Sequence, residues 1–98
     1  MDLVLLENNA EKASSLLGAM ANSRRLMILC KLLEGEKSVS MLSQSIGIGQ
    51  SALSQHLAKL REKGLVSTRR DAQTIHYSIA SDDVRAILTT LYAVFCAQ

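Results

Sequence analysis

The stretch GQSALSQHLAKLREKG, residues 49–64, combines a regular leucine spacing with a cluster of polar side chains. Leu53, Leu57 and Leu60 recur at the spacing of an amphipathic helix that buries one face. With these leucines turned inward, the polar side chains lie toward solvent along the N-terminal half of the helix. The exposed set is Gln50, Ser51, Ser54, Gln55 and Lys59.

The residues before this stretch predict a second, shorter helix. We expect Ser40 to begin it, with Val39 packing at its start. Leu42 and Ile46 would face inward, and Gly47 would end the helix. A helix, a tight turn containing glycine and a second helix form the layout of a helix-turn-helix motif.

The composition changes after Gly64. The segment LVSTRRDAQTIHYSI, residues 65–79, is rich in β-branched residues and partly alternates apolar with polar positions. It predicts a β-hairpin with strands at 65–70 and 74–79 and the DAQ segment at the turn. A hairpin that directly follows a helix-turn-helix motif is a wing.

Two amphipathic helices are predicted before the motif. The first runs from about residue 9 to residue 20, with Asn8 or Asn9 as N-cap. Its apolar stripe is Ala13, Leu16, Leu17 and Met20. The second follows an Asn22 N-cap and ends near Gly35. Its predicted buried stripe is Leu26, Leu29, Cys30 and Leu33, which places Cys30 in the core.

A last helix is predicted after Ser81, which serves as its N-cap. Asp82 and Asp83 lie in its first turn, where negative charge is favourable at the positive end of the helix dipole. Its apolar positions form one continuous stripe: Val84, Ile87, Leu88, Leu91, Tyr92 and Phe95.

These elements predict a mainly α chain with a small β-hairpin wing, that is, a winged helix-turn-helix of five helices. The 98 residues fit a single domain, residues 1–98. The first and last helices offer more apolar surface than a domain of this size can easily cover. We therefore expect a homodimer formed through these two helices.

The charge is unevenly distributed along the chain. The formal net charge is only +2, yet residues 50–77 alone carry five basic and two acidic side chains, a local charge of +3. Such a patch suits a phosphate-rich partner. No apolar run approaches the roughly 20 residues needed to span a bilayer. The N-terminus lacks the basic leader of a signal peptide, so we expect a cytoplasmic protein without membrane contact.

The polar residues of the first stretch are of the types that bind double-stranded DNA. Recognition helices present their N-terminal residues to base edges in the major groove. Gln bonds adenine with two hydrogen bonds, Ser bonds several bases, and Lys reaches guanine or phosphate. His56 borders the leucine side and is a weaker candidate for a DNA contact. Further candidates beside the hairpin turn, for backbone contact, are Arg69, Arg70 and Gln73.

A hydrolase is the alternative interpretation of the same stretch, since Ser51, Ser54 and His56 are residue types used in catalysis. The nucleophile-elbow motif would need a second glycine and a preceding strand, and both are absent. Residues 54 and 56 are also about 200° apart around a helix, so they cannot form a Ser–His pair. We expect no enzyme and no cofactor.

Three segments together resemble the ArsR/SmtB family of winged-helix repressors across nearly the whole chain. They are AMANSRRLMILCKLLEGEKSV, IGIGQSALSQHLAKLREKGLVSTRRDAQTIHYSI and LYAVFCAQ. The similarity is strongest to the dithiol subgroup that includes BigR, SqrR and HlyU. It implies a homodimer that binds a palindromic operator and releases it when an inducer is sensed. Members like HlyU tend to have Ser where this chain has Gly49.

The resemblance also bears on the inducer. Metal sensors of the family carry Cys ligands in the third helix or Asp and His ligands on the last helix, and this chain lacks those sets, so we expect no metal. Cys30 and Cys96 resemble the subgroup's dithiol pair, which reacts with persulfides to form a sulfur bridge or with oxidants to form a disulfide. The resemblance therefore implies a thiol sensor.

Two alternatives stay open from the residues alone. Cysteine is among the most often buried residue types, so Cys30 and Cys96 could be inert in a regulator that has no inducer. The winged helix could also serve as a protein-interaction module in place of a DNA-binding one.

Overall fold

The computed structural model describes residues 1–96. Within that range the chain forms a mainly α winged helix-turn-helix, which confirms the predicted fold. The helices are α1 (Leu3–Met20), α2 (Ser23–Leu32), α3 (Val39–Ile46), α4 (Gln50–Glu62) and α5 (Asp82–Phe95). The strands are β1 (Lys37–Ser38), β2 (Val66–Asp71) and β3 (Thr74–Ile79), arranged antiparallel in the order β1-β3-β2.

The core is aliphatic and is built around the helix-turn-helix. The predicted inward leucines of α4, Leu53, Leu57 and Leu60, are completely buried, and so are Leu42 of α3 and Leu88 of α5. Burial of a leucine side chain stabilises the fold by about 1.5 to 3 kcal/mol. The leucine spacing therefore fixes which side of α4 remains exposed.

Two helices begin earlier than the sequence predicted. Helix α1 starts at Leu3, because the Asp2 carboxylate accepts hydrogen bonds from the N–H groups of Val4 and Leu5 at 3.0 and 3.2 Å. Helix α3 starts at Val39, because the Ser38 hydroxyl accepts a bond from Met41 N–H at 3.2 Å. Side-chain oxygens at the N-cap, here Asp2 and Ser38, satisfy N–H groups that the helix itself cannot bond.

The buried stripes of α1 and α2 differ from the predicted ones. In α1 the buried residues are Ala19 and Met20, whereas Leu17 is 53% exposed. In α2 the buried set is Ile28, Leu29 and Leu32, and Cys30 is only half-buried. The prediction that Cys30 lies in the core was wrong, because the α2 stripe is rotated around the helix axis and leaves the thiol at its edge.

The wing is a hairpin with a two-residue turn. Asp71 pairs with Thr74, and Ala72 adopts a positive φ of 55° at the turn. Strand β2 begins at Val66, one residue later than predicted, because Leu65 N–H still bonds the Leu60 carbonyl at 2.9 Å and completes the end of α4. Strand β1, which adds a third strand beside β3, was not predicted.

Large apolar side chains remain exposed at both ends of the chain. In α1 they begin at its first turn, and in α5 they occupy its last two turns. The exposed members are Leu3, Val4, Leu5, Leu6, Leu17, Tyr92, Val94 and Phe95. None of the helices within residues 1–96 is both long and apolar enough to cross a membrane.

Candidate DNA-binding surface and thiol pair

The turn between α3 and α4 directs the polar side of α4 outward. Gly47 ends α3 in the left-handed conformation, with φ of 81°, and its N–H bonds the Ser43 carbonyl at 2.8 Å. The Ile48 side chain is buried, and Gly49 then forms the N-cap of α4. Left-handed backbone is readily adopted by glycine, which explains Gly47 at the C-cap of α3.

The structure brings the predicted polar residues of α4 together on one exposed surface. Gln50, Ser51, Ser54, Gln55 and Lys59 are all exposed. Their side chains make no hydrogen bonds to other residues in the described part of the chain, so their donors and acceptors can bond a ligand. We call this set the α4 surface.

His56 lies apart from the α4 surface. It is half-buried beside the leucine side of α4. Within residues 1–96 no hydrogen bond joins its imidazole to Ser51 or Ser54.

The two arginines of the wing point to opposite faces of the hairpin, since they are neighbours on one strand. Arg70 and Gln73 are exposed near the turn. The Arg69 guanidinium bonds the Glu36 carboxylate through two nitrogens, Nη2 at 2.7 Å and Nε at 3.1 Å. This hydrogen bonding lowers the pKa of Glu36 below its ordinary value. The charge of Arg69 is therefore already paired within the protein.

The two cysteines line one apolar cavity between α2 and α5. Both thiols are free, with Cys30 half-buried and Cys96 exposed. The cavity measures about 340 Å³ and contains no charged side chain in its lining. Its other lining residues are Leu26, Met27, Leu91, Tyr92 and Phe95. We call this cavity the thiol pocket.

The surroundings of the two thiols differ. Burial, together with the neighbouring Cys96, raises the pKa of the Cys30 thiol above its ordinary value. The thiolate is the nucleophilic form of cysteine. Cys30 is therefore held mostly as the protonated thiol at neutral pH. Among residues 1–96 there is no group of three or more His, Cys, Asp or Glu side chains placed to hold a metal ion.

Sequence reasoning missed two residues that shape these sites. Glu36 pairs with Arg69 across the sheet, a contact between residues 33 positions apart that becomes possible only once β1 joins β3. The Ser43 hydroxyl donates a hydrogen bond to the Ile48 carbonyl at 2.6 Å. The only sequence signal for Ser43 was its position inside the short helix before the glycine turn.

Comparison with known proteins identifies the family. Residues 22–68 match the model of the bacterial regulatory protein arsR family, a segment that contains the whole helix-turn-helix. The transcriptional activator HlyU of Vibrio cholerae is 52% identical over 96 residues, covering 98% of this chain and 89% of that protein. This chain belongs to the arsR family. It is thus a DNA-binding transcriptional regulator with a winged helix-turn-helix fold.

Solved structures of similar proteins superimpose closely on the chain. Reduced HlyU from Vibrio cholerae gives a TM-score of 0.91 at 52% identity, with 96% of this chain and 99% of that chain covered. The transcriptional repressor BigR from Xylella fastidiosa gives 0.89 at 43% identity, with full coverage of both chains. The homodimeric winged helix-turn-helix DNA-binding domain of Mb0332 from Mycobacterium bovis gives 0.82 at 31% identity, with 90% and 82% covered.

Proposed function

We propose that the protein is a homodimeric repressor that releases its operator when Cys30 and Cys96 become linked. The observation that carries this proposal is the thiol pocket, where two free thiols, one on α2 and one at the C-cap of α5, line one apolar cavity. A link between them would join α2, which packs against the helix-turn-helix, to α5. The chemistry would therefore act on the same helices that position the DNA-binding surface.

A homodimer would cover the exposed apolar residues of α1 and α5. Tyr92, Val94 and Phe95 are 50%, 60% and 72% exposed, and large exposed apolar patches mark interaction surfaces. The family relationship supports this arrangement, because the Mb0332 domain is homodimeric. Two-fold symmetry would place two copies of α4 against a palindromic operator, with half-sites about 34 Å apart.

The α4 surface would contact base edges in the major groove. Gln55 and Gln50 offer paired donors and acceptors, and Lys59 offers a cation for guanine or phosphate. His56, Arg70 and Gln73 would add contacts at the margin of this surface. We assign no catalytic role to these residues, because base contact requires only exposed hydrogen-bonding groups, and the hydroxyls and the imidazole are not paired for proton transfer.

The proposed inducer is a persulfide, which carries an electrophilic outer sulfur. The exposed Cys96 thiolate attacks that sulfur in RSSH, giving Cys96–SSH and releasing RS⁻, which takes up a proton. The Cys30 thiolate then attacks the Cys96 sulfur, forming the disulfide and expelling HS⁻. In total two thiols and one RSSH give one disulfide, one RSH and one H₂S.

A longer bridge forms when each thiol first takes a sulfur atom from its own donor. The two persulfides then condense to a trisulfide and release H₂S, so that two thiols and two RSSH give one trisulfide, two RSH and one H₂S. Peroxide would lead to the disulfide through a sulfenic acid at Cys96 and loss of water. In each case Cys96 is the first thiol to react with the reagent, because Cys96 is exposed and the pKa of Cys30 is raised.

The test measures DNA binding by reduced protein and by persulfide-treated protein, with DNA from upstream of the gene that encodes the protein. Mass spectrometry of the linked peptides verifies the modification, and binding is measured in the same samples. We expect a large loss of DNA affinity in the wild type and none in Cys30→Ser or Cys96→Ser. Unchanged affinity after verified linkage would exclude the sensor and leave a regulator with inert cysteines. A response retained in Cys96→Ser would show that the link is not required.

A further inference from the structure

The turn of the helix-turn-helix is held from the α3 side by one residue, Ser43. Its carbonyl accepts the N–H of Gly47 at 2.8 Å, and its hydroxyl donates to the carbonyl of Ile48 at 2.6 Å. Ser43 itself is half-buried, so water competes only partly for this hydroxyl. One residue of α3 thus bonds two successive residues of the turn that leads into α4.

The start of α4 lacks the support that the other helices have. In each of the other four helices of residues 1–96 the N-cap side chain accepts a bond from the first turn, whereas Gly49 has no side chain to do so. Glycine is also the residue with the greatest backbone freedom. The backbone at Gly49 therefore needs a constraint from elsewhere.

The Ser43 hydroxyl supplies that constraint. The peptide unit between Ile48 and Gly49 is planar, so fixing the Ile48 carbonyl oxygen fixes the plane on one side of the Gly49 Cα. The buried Ile48 side chain holds the same residue from its other side. Together these contacts set the direction in which the chain enters α4.

We infer that Ser43 is a positioning residue for DNA recognition, which acts by orienting the N-terminal end of α4. The inference rests on the proposed role of the α4 surface in base contact. Base contacts need accurately placed side chains, whereas phosphate contacts tolerate small shifts and carry no sequence information. Loss of the Ser43 hydroxyl should therefore lower the affinity for the preferred DNA sequence more than the affinity for unrelated DNA.

The experiment uses the full-length protein and two DNA duplexes. One duplex is selected from a random pool by repeated binding to the wild-type protein, and the other is its scrambled equivalent. For Ser43→Ala we expect the ratio of the two affinities to fall by about threefold to tenfold, as for loss of one hydrogen bond. Ser43→Thr keeps the hydroxyl and should keep the ratio within about twofold.

Two further variants give matched controls. Ser45→Ala removes an exposed hydroxyl two positions along α3 that makes no hydrogen bond in the described chain, and it should leave the ratio unchanged. The double variant Ser43→Ala/Gly49→Ser has a capping side chain at the start of α4. Its ratio of affinities for the selected and scrambled duplexes should lie between those of Ser43→Ala and the wild type.

The outcomes separate the inference from the proposed function. A fall in the ratio for Gln55→Ala with none for Ser43→Ala would overturn the role of Ser43 and leave the α4 surface intact. No change for Gln55→Ala would overturn the α4 surface itself. An equal loss on both duplexes for Ser43→Ala, with a lower melting temperature, would show a general folding defect and also overturn the positioning role.

Discussion

Replacement of Glu36 by Gln should make DNA binding more sensitive to salt. In the wild type the Glu36 carboxylate occupies two nitrogens of Arg69, at 2.7 and 3.1 Å. Because Arg69 lowers the pKa of Glu36, that carboxylate stays ionised throughout the neutral range in which DNA binding is measured. A glutamine has nearly the same shape and no charge, so the variant leaves the Arg69 cation available to a DNA phosphate.

The size of the effect follows from the number of phosphates neutralised. Each additional phosphate contact steepens the slope of log K against log salt by about 0.9, so the two wings of a dimer add about 1.8. Between about 50 and 200 mM salt, the affinity of Glu36→Gln should then fall by a factor about 3.5 times larger than that of the wild type if one wing gains a phosphate contact, and about 12 times larger if both wings do. At the low end of that range the variant should bind more tightly than the wild type.

The assay is fluorescence anisotropy of a labelled duplex titrated at several salt concentrations. Glu34→Gln is the matched control, since it removes the same charge from a carboxylate that pairs with Lys31 and Lys37 at 3.4 and 3.3 Å and not with Arg69. Identical slopes for the two variants would show that only net charge matters. A slope for Glu36→Gln equal to that of the wild type would refute the idea that Arg69 reaches phosphate.

Three other predictions concern the core, the dimer and the thiols. Leu57→Ala should lower the free energy of unfolding by about 2 to 5 kcal/mol in urea denaturation, because Leu57 is completely buried; a smaller loss would contradict its core position. Phe95→Asp should shift sedimentation toward monomer, and an unchanged dimer would place the interface elsewhere. The rate of linking Cys30 to Cys96, followed by mass spectrometry, should rise with pH, because the raised pKa of Cys30 leaves little thiolate at neutral pH. A rate independent of pH would contradict attack by the Cys30 thiolate.

Short-range patterns made the helix-turn-helix predictable. The spacing of Leu53, Leu57 and Leu60 depends only on helix geometry, and the turn before them contains the glycine that its backbone requires. The hairpin was found for a similar reason, since β-branched residues and alternation are local signals. The leucine spacing and the glycine turn therefore predicted correctly which side of α4 is exposed.

The features that were missed depend on contacts between distant residues. Strand β1 is only two residues long and exists because β3 is available to pair with it. The Glu36–Arg69 pair then follows from that pairing. The half-buried position of Cys30 depends on how α5 packs against α2, and periodicity along α2 alone does not contain that information. The early start of α1 was a local signal, the Asp2 N-cap, that lay beyond the apolar stripe used to place the helix.

Cys96 is the C-cap residue of α5, with its N–H bonded to the Tyr92 carbonyl at 2.8 Å. The terminal turn of a helix unwinds at little cost, so in a lone subunit the end of α5 could reach Cys30 while the remainder of the helix stayed in place. In a dimer that covers Phe95 and Val94, the same reaction has to displace packed side chains. We therefore expect the two steps to be separable. A dissociated subunit would react with the sulfur reagent and link Cys30 to Cys96, whereas only the dimer would release DNA as a result.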